Sequence, residues 1–343
     1  MLTIDTVGRD IIEGILPLTL EEYALIPKWY TQVFGEAKVS DHPTHSTGTD
    51  FVACIEAVMP EDERSVVHDA PMGDVKASYK WIVKNREIDA YVPIEENALE
   101  DLMMGNIATF ASVIAKPLAT AFHEKIEQFH WDLFNYGAFA AGHWQFENNV
   151  SGGSPGVDSI EDSSKLFIYD GQPWFSASHP MSGATGTLSN FNASSALTVA
   201  NLKAAITAYN FTNARDNVNN KIRRKANILM VSENLQWTAE EILKSANIPY
   251  EISNTANVVA QNITTLLINP WITDADAWFI GSSEYSGLIS IYHPNYPPQG
   301  EFAIPYVLSF DKKDGKSVLR AKARLGAGII NWRGWDAYNL ATS

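Results

Sequence analysis

Apolar residues recur at intervals of three and four through residues 95–136, the longest regular pattern in the chain. Leu99, Leu102, Ile107, Phe110, Leu118, Phe122, Ile126, Phe129 and Leu133 share one helical face. At ~1.5 Å per residue, about 40 residues span roughly 60 Å. Glu95, Glu96, Glu100 and Asp101 suit the N-terminal end, where unpaired amides leave positive charge. Pro117 lies inside and lacks an N–H, so the spacing predicts one bent helix or two in line.

The pattern changes on either side of this helix. Residues 51–95 read as strands. Val52–Val58 alternates weakly, and Tyr79, Trp81 and Val83 oppose Lys80, Ile82 and Lys84 with period two. Pro71 and Gly73 mark a turn. Such a ribbon, solvated on both faces, is marginal alone in water and implies completion by a neighbour. The first 50 residues read as an arm with one helix over Leu18–Phe34, capped by Thr19.

Residues 137–200 are rich in Gly, Ser and Asn and read as a long loop, with SGGSPG at 151–156 and a turn at Asp170–Gly171. An α/β block follows. Helices are expected over Val199–Thr212 and Leu235–Ser245, the second capped by Ser232 or Asn234. Strands are expected at Asn227–Val231, Tyr250–Ile252, Thr265–Asn269 and Ala277–Ile280. Residues 286–343 look all-β, with strands at Ile289–Tyr292, Tyr306–Phe310, Val318–Leu325 and Ile329–Asn331, and a hairpin turn at Asp314–Gly315.

The chain of 343 residues has room for two domains. A net charge of −15 argues against a protein that wraps nucleic acid on a basic face. Ten Trp and thirteen Tyr suit either an aromatic core or extensive interfaces. The single Cys54 excludes an intrachain disulfide and reads as a small buried hydrophobe. The N-terminus has no signal-peptide pattern, and no run of 18 apolar residues predicts a membrane span.

The search for chemistry returns little. The chain has neither a phosphate-binding glycine loop nor a nucleophile elbow. His42 and His45 flank Pro43 beside Asp41 and read as a solvated loop rather than a metal site. Glu124, Glu127, His123 and His130 on the long helix invite a carboxylate-metal reading. No second helix offers matching ligands, so they read as structural helix-surface residues. His179 near Ser176 and Ser178 would need spatial pairing to act as a base. Lys221, Arg223, Arg224 and Lys225 form the one basic cluster, fit for nucleic acid, an acidic neighbouring subunit, or solvent.

The order of segments and several phrases carry a resemblance. These are Ile88–Leu102 (IDAYVPIEENALEDL), Tyr169–Pro180 (YDGQPWFSASHP), Ile228–Leu243 (ILMVSENLQWTAEEIL), Asn269–Ile280 (NPWITDADAWFI) and the ending Arg320–Tyr338. Together they resemble tailed-phage major capsid proteins with the Hong Kong 97 fold, most closely the Mu-like major head subunits. The resemblance implies an α+β fold with an N-terminal arm (1–65), an extended hairpin or E-loop (66–94) and a peripheral domain with a spine helix (95–199). It further implies an axial α/β domain (200–285) and a β segment returning to the peripheral domain (286–343). It implies a structural shell subunit with no catalytic, metal or cofactor site, located in the virion capsid and assembled in the host cytoplasm. Its partners would be its own copies in hexamers and pentamers, then portal, scaffold and decoration proteins, with packaged double-stranded DNA nearby and no membrane. Candidate interface residues are Lys76, Tyr79, Trp81, Lys84 and Arg86 on the ribbon, Arg223 and Arg224 in the basic cluster, and Trp332, Arg333 and Trp335 in the tail. An encapsulin-like compartment shell shares the fold. An enzyme using His179 or the His42/His45 pair is the rival from another class.

Overall fold

The computed structural model describes residues 21–38, 51–59, 74–83, 86–95, 107–140, 143, 146, 167–181, 184–217, 219–245, 247, 256–292, 306–313 and 316–342. Expectations at Thr19, His42 and His45, Pro71–Gly73, Lys84, residues 96–106, 151–156, Tyr250–Ile252 and Asp314–Gly315 lie outside the described residues.

In chain order, residues 21–25 are helical and Tyr30–Gln32 form a 3-10 turn before β1 (Gly35–Lys38). Strands β2 (Phe51–Met59), β3 (Asp74–Val83) and β4 (Arg86–Glu95) precede α1 (Ile107–Asn135). Three short strands follow: β5 (His179–Pro180), β6 (Thr187–Leu188) and β7 (Phe191–Asn192). Helix α2 (Val199–Thr207) runs into a π-turn at Ala208–Thr212, then come β8 (Ile228–Ser232), α3 (Gln236–Lys244), β9 (Thr265–Asn269) and β10 (Trp278–Gly281). The chain closes with β11 (Leu288–Tyr292), β12 (Tyr306–Lys313), β13 (Lys316–Ile329) and β14 (Trp335–Tyr338). The architecture is α+β.

The expected helix over Leu18–Phe34 is broken in two. Pro27 cannot donate, and it pushes the residue before it out of the helical region. Helix α1, in contrast, runs continuously through Pro117. Thr198 caps α2 through its side chain, which accepts from the Asn201 amide at 3.2 Å. Helix α3 starts from a 3-10 turn at Glu233–Leu235 without a side-chain cap, so neither Ser232 nor Asn234 takes the expected role. Ser232 instead donates to the Ala275 carbonyl at 2.5 Å.

The interior sheet has the order β7-β14-β10-β8-β9. It separates two hydrophobic clusters, and period-two alternation assigns each side chain to one of them. Ile228, Met230, Phe279, Trp335 and Ala337 join the larger cluster, with α1 and the N-terminal segment. Leu229, Val231, Trp278, Ile280 and Tyr338 join the smaller, with α2 and α3. Strands β8, β10 and β14 are buried at every position, which explains why NILMV and AWFI read as unbroken apolar runs. Strand β14 comes from the tail, so the α/β block is completed by residues beyond 285.

A second sheet has the order β1-β11-β13-β12, with β4 also paired to β13. Strand β13 is one 14-residue strand where two were expected. Strand β4 pairs with it from Arg86↔Leu325 to Glu95↔Lys316. The free hairpin is β2–β3, paired from Phe51↔Val83 to Met59↔Asp74, so β2 leaves the expected arm (1–65), while residues 86–94, expected in the E-loop (66–94), pair with β13. A Cβ on Gly328 would meet Val83 at 2.5 Å, so this glycine lets the foot of β3 close onto β13.

Candidate functional site

Glu127, His130 and His179, flagged in the sequence, are structural once placed. Glu127 is fully buried, not on a helix surface. Its carboxylate accepts from the amides of Trp29 (2.6 Å) and Tyr30 (3.1 Å) and from Trp131 Nε1 (2.8 Å). Burial raises its pKa, and these hydrogen bonds oppose the rise. His130 holds Ile126 O at 2.7 Å and Ser290 Oγ at 2.9 Å and stacks on Tyr30 at 4.0 Å. Burial pushes its pKa down to about 4. The pair thus fastens the N-terminal segment and β11 onto α1. Among the described residues no group of three or more His, Cys, Asp and Glu could hold a metal ion.

His179 is also committed. Nδ1 lies 2.6 Å from Asp170 Oδ2, and Nε2 lies 3.0 Å from Asn190 Oδ1 and 3.1 Å from Trp174 O. Its ring stacks on Trp332 at 4.0 Å. The Ser176 hydroxyl contacts Gln172 and Ser178 instead, so no serine–histidine pair forms. Asn190 Nδ2 reaches the carbonyls of Trp174, Trp332 and Trp335, tying the former loop to the tail. The expected turn is present: Gly171 has φ +77°, and Asp170 Oδ1 accepts from the Gln172 amide. A cleft of about 210 Å³ between the N-terminal segment and the interior sheet is lined by Thr31, Gln32, Phe34, Ser282, Ser286 and Trp335, among others. Its hydroxyls, on Thr31, Ser282, Ser283 and Ser286, have no acid or base beside them in the lining to activate them.

Four of the ten interface candidates lie in the interior of the chain. Trp332, Arg333 and Trp335 are exposed by 2% or less, and Arg224 by 5%. Arg333 donates to Arg215 O (2.7 Å) and Asn217 Oδ1 (2.8 Å) and lies over Trp332. Arg224 lies over the Tyr209 ring and donates to Tyr209 O and to Arg333 O. Its guanidinium stands 3.9 Å from Asp336, whose pKa burial raises to about 6. These arginines use planar donor forks to satisfy carbonyls inside the chain. As interface contacts they are corrected: they hold the 215–224 loop against 331–336.

The remaining candidates lie elsewhere. Arg223 is exposed, with Lys221 and Lys225 on either side. Lys76, Tyr79 and Trp81 are on β3, and Arg86 opens β4. Exposed Phe211 and Trp237, at 72% and 71%, were not singled out by the sequence reading. Their helical spacing gave no signal, because an exposed aromatic breaks no pattern.

Comparisons with known proteins follow from this geometry. No curated protein sequence matches the chain. The virus-like particle from Pyrococcus furiosus is similar at 10% identity and a TM-score of 0.46, covering 95% of this chain and 98% of that one. The Microbacterium phage Oxtober96 structure is similar at 12% and 0.48, covering 93% and 92%. The capsid of Ralstonia phage GP4 is similar at 11% and 0.49, covering 89% and 86%. The assignment rests on a family match instead: the model for phage capsid proteins matches residues 101–337, more than half of the chain. The chain therefore belongs to the phage capsid protein family, a structural subunit that works in the virion shell with copies of itself and not an enzyme.

Proposed function

We propose that this chain is the major capsid protein of a tailed bacteriophage. It forms hexamers and pentamers of an icosahedral shell with the Hong Kong 97-type fold, enclosing double-stranded DNA. Within that fold it stands nearest to Mu-like head subunits, on the phrases at 88–102, 169–180 and 320–338. One observation carries the reading. Strands β2 and β3 pair only with each other among the described residues. A two-stranded ribbon is marginal in water, and its open edges template pairing with another chain.

In this reading β2–β3 is the extended loop that lies on a neighbouring subunit, with Lys76, Tyr79 and Trp81 on β3 and Arg86 at the start of β4. Helix α1 is the spine of a peripheral domain. Residues 200–285, completed by β14, form the axial domain. The residues ahead of β2 are the arm, of which 21–38 are fastened to the body through Glu127 and β11. Portal, scaffold and decoration proteins are the further partners. The family match favours a virion shell over a cargo compartment. The charge of −15 suits a wall that packaged DNA must not adhere to.

Purified full-length chain is expected to form closed particles or capsomers in negative-stain microscopy and light scattering. A chain that stays monomeric across all concentrations and ionic strengths would contradict the proposal.

A further inference from the structure

The interior α/β block carries two exposed patches of opposite character at the two ends of β8. One precedes the strand. Burial alternates along residues 221–225: Lys221, Arg223 and Lys225 face solvent while Arg224 turns inward beneath Tyr209. Period-two geometry thus aligns three cations into one ridge. Phe211, 72% exposed, lies in the π-turn whose Asn210 accepts from the Ala226 amide, which sets it beside this ridge. The nearby charges Arg215 and Asp216 offset one another, so the ridge stays basic.

The other patch follows the strand. Glu233 is exposed in the 3-10 turn directly after Ser232. Trp237 is 71% exposed in the first turn of α3, and Glu241 is exposed one turn later on the same face. Glu240 and Lys244, paired with each other, lie alongside. Five residues of β8 hold the two patches on the order of 16 Å apart, too far to satisfy one another.

We infer that these patches are the two halves of one contact between copies of this chain: the Glu233–Trp237–Glu241 face of one copy docks on the Phe211–Lys221–Arg223–Lys225 ridge of the next. The inference rests on the capsid reading and deepens it by naming the residues. Each patch pairs a large exposed aromatic with charges opposite to those of the other, the composition of an interface anchor with its polar rim. Each end of the block fits the other end and not itself, so the contact is head-to-tail. Such contacts close into rings when the rotation allows. A ridge of this sign attracts a neighbour of net charge −15.

Charge reversal in the full-length chain tests this. One variant carries Lys221→Glu, Arg223→Glu and Lys225→Glu; a second carries Glu233→Lys and Glu241→Lys; a third combines all five. All replaced residues are exposed, and circular dichroism checks that each variant is folded. By sedimentation velocity, each partial variant is expected to lose assembled material by about tenfold or more, and the combination to recover much of it. Trp237→Ser is expected to weaken assembly without changing the fold. A wild type that assembles beside partial variants that assemble equally well overturns this inference alone. A wild type that never assembles overturns the capsid reading with it. A ridge variant that assembles normally but no longer retains duplex DNA on a filter also overturns it, because the ridge then serves nucleic acid.

Discussion

In the interior sheet, β8 has a hydrogen-bonded neighbour on each edge and a hydrophobic cluster on each face. In the ribbon, β2 and β3 each have one partner and one open edge among the described residues. Both are built from strands, almost wholly apolar in β8 and mixed with charged residues in β3. The difference is whether the chain itself supplies the second edge. Stability is thus concentrated where both edges and both faces are closed, and assembly where an edge is open. Substitutions should separate the two: those around the interior sheet should move folding, and those on the ribbon should move association.

The largest effect is expected at Gly334. A Cβ there would lie 1.9 Å from Ser286 O and 2.8 Å from Tyr285 O, and both are backbone atoms that cannot swing aside. Gly334→Ala should cost more than about 4 kcal/mol and leave little folded chain, read by urea unfolding. A variant of wild-type stability would show that the tail is not fixed against the 285–286 segment. Arg224→Ala should cost about 3–5 kcal/mol, because Asp336 then remains buried without its cation. Adding Asp336→Asn should recover part of that loss; no recovery would mean the guanidinium acts only through the carbonyls it satisfies.

A pH dependence comes next. His130 titrates near 4 when folded and near 6.5 when free, so the unfolded chain takes up a proton that the folded chain refuses. Its contribution is intact above about 6.5 and is lost as pH falls toward 4, by about 3 kcal/mol in all. Asp336 acts in the opposite sense. Its folded value, raised to about 6, makes its ionisation cost stability as pH rises through that value. Urea midpoints between pH 7 and pH 4 should therefore fall less steeply in His130→Gln than in the wild type. Equal slopes would place the acid sensitivity elsewhere. The smallest effect on folding is expected from shortening the ribbon at the Ile55↔Tyr79 pair and closing it with a two-residue turn. The unassembled chain should keep its melting temperature within a few degrees, while particle formation is lost. A large drop in melting temperature would mean that the ribbon is part of the body.

Much of the fold was legible because its elements declare themselves locally. The face of α1, the apolar runs of β8 and β10 and the Asp170–Gly171 turn all follow from spacing or side-chain chemistry within a few residues. The pairing of β4 with β13 was not legible. It joins Arg86 to Leu325, and neither strand's pattern names its partner. The candidate site was misread in the tail for a related reason. Trp and Arg suit an interface and a satisfied interior equally well, so Trp332, Arg333, Trp335 and Arg224 gave no sign of which they would be.

By itself the sequence determined where most helices and strands form, that a long helix separates a ribbon from an α/β block, and that the chain carries neither a phosphate-binding glycine loop nor a nucleophile elbow. These depend on periodicity and on residue type, which are properties of short stretches. Only the tertiary structure decided that β14 would complete the interior sheet and that two arginines would turn inward. It also decided that Glu127 would hold the N-terminal segment and that an acidic and a basic patch would stand at opposite ends of one strand. Burial and charge pairing depend on which distant segments meet, and that is settled by the closing of the whole fold around its two clusters.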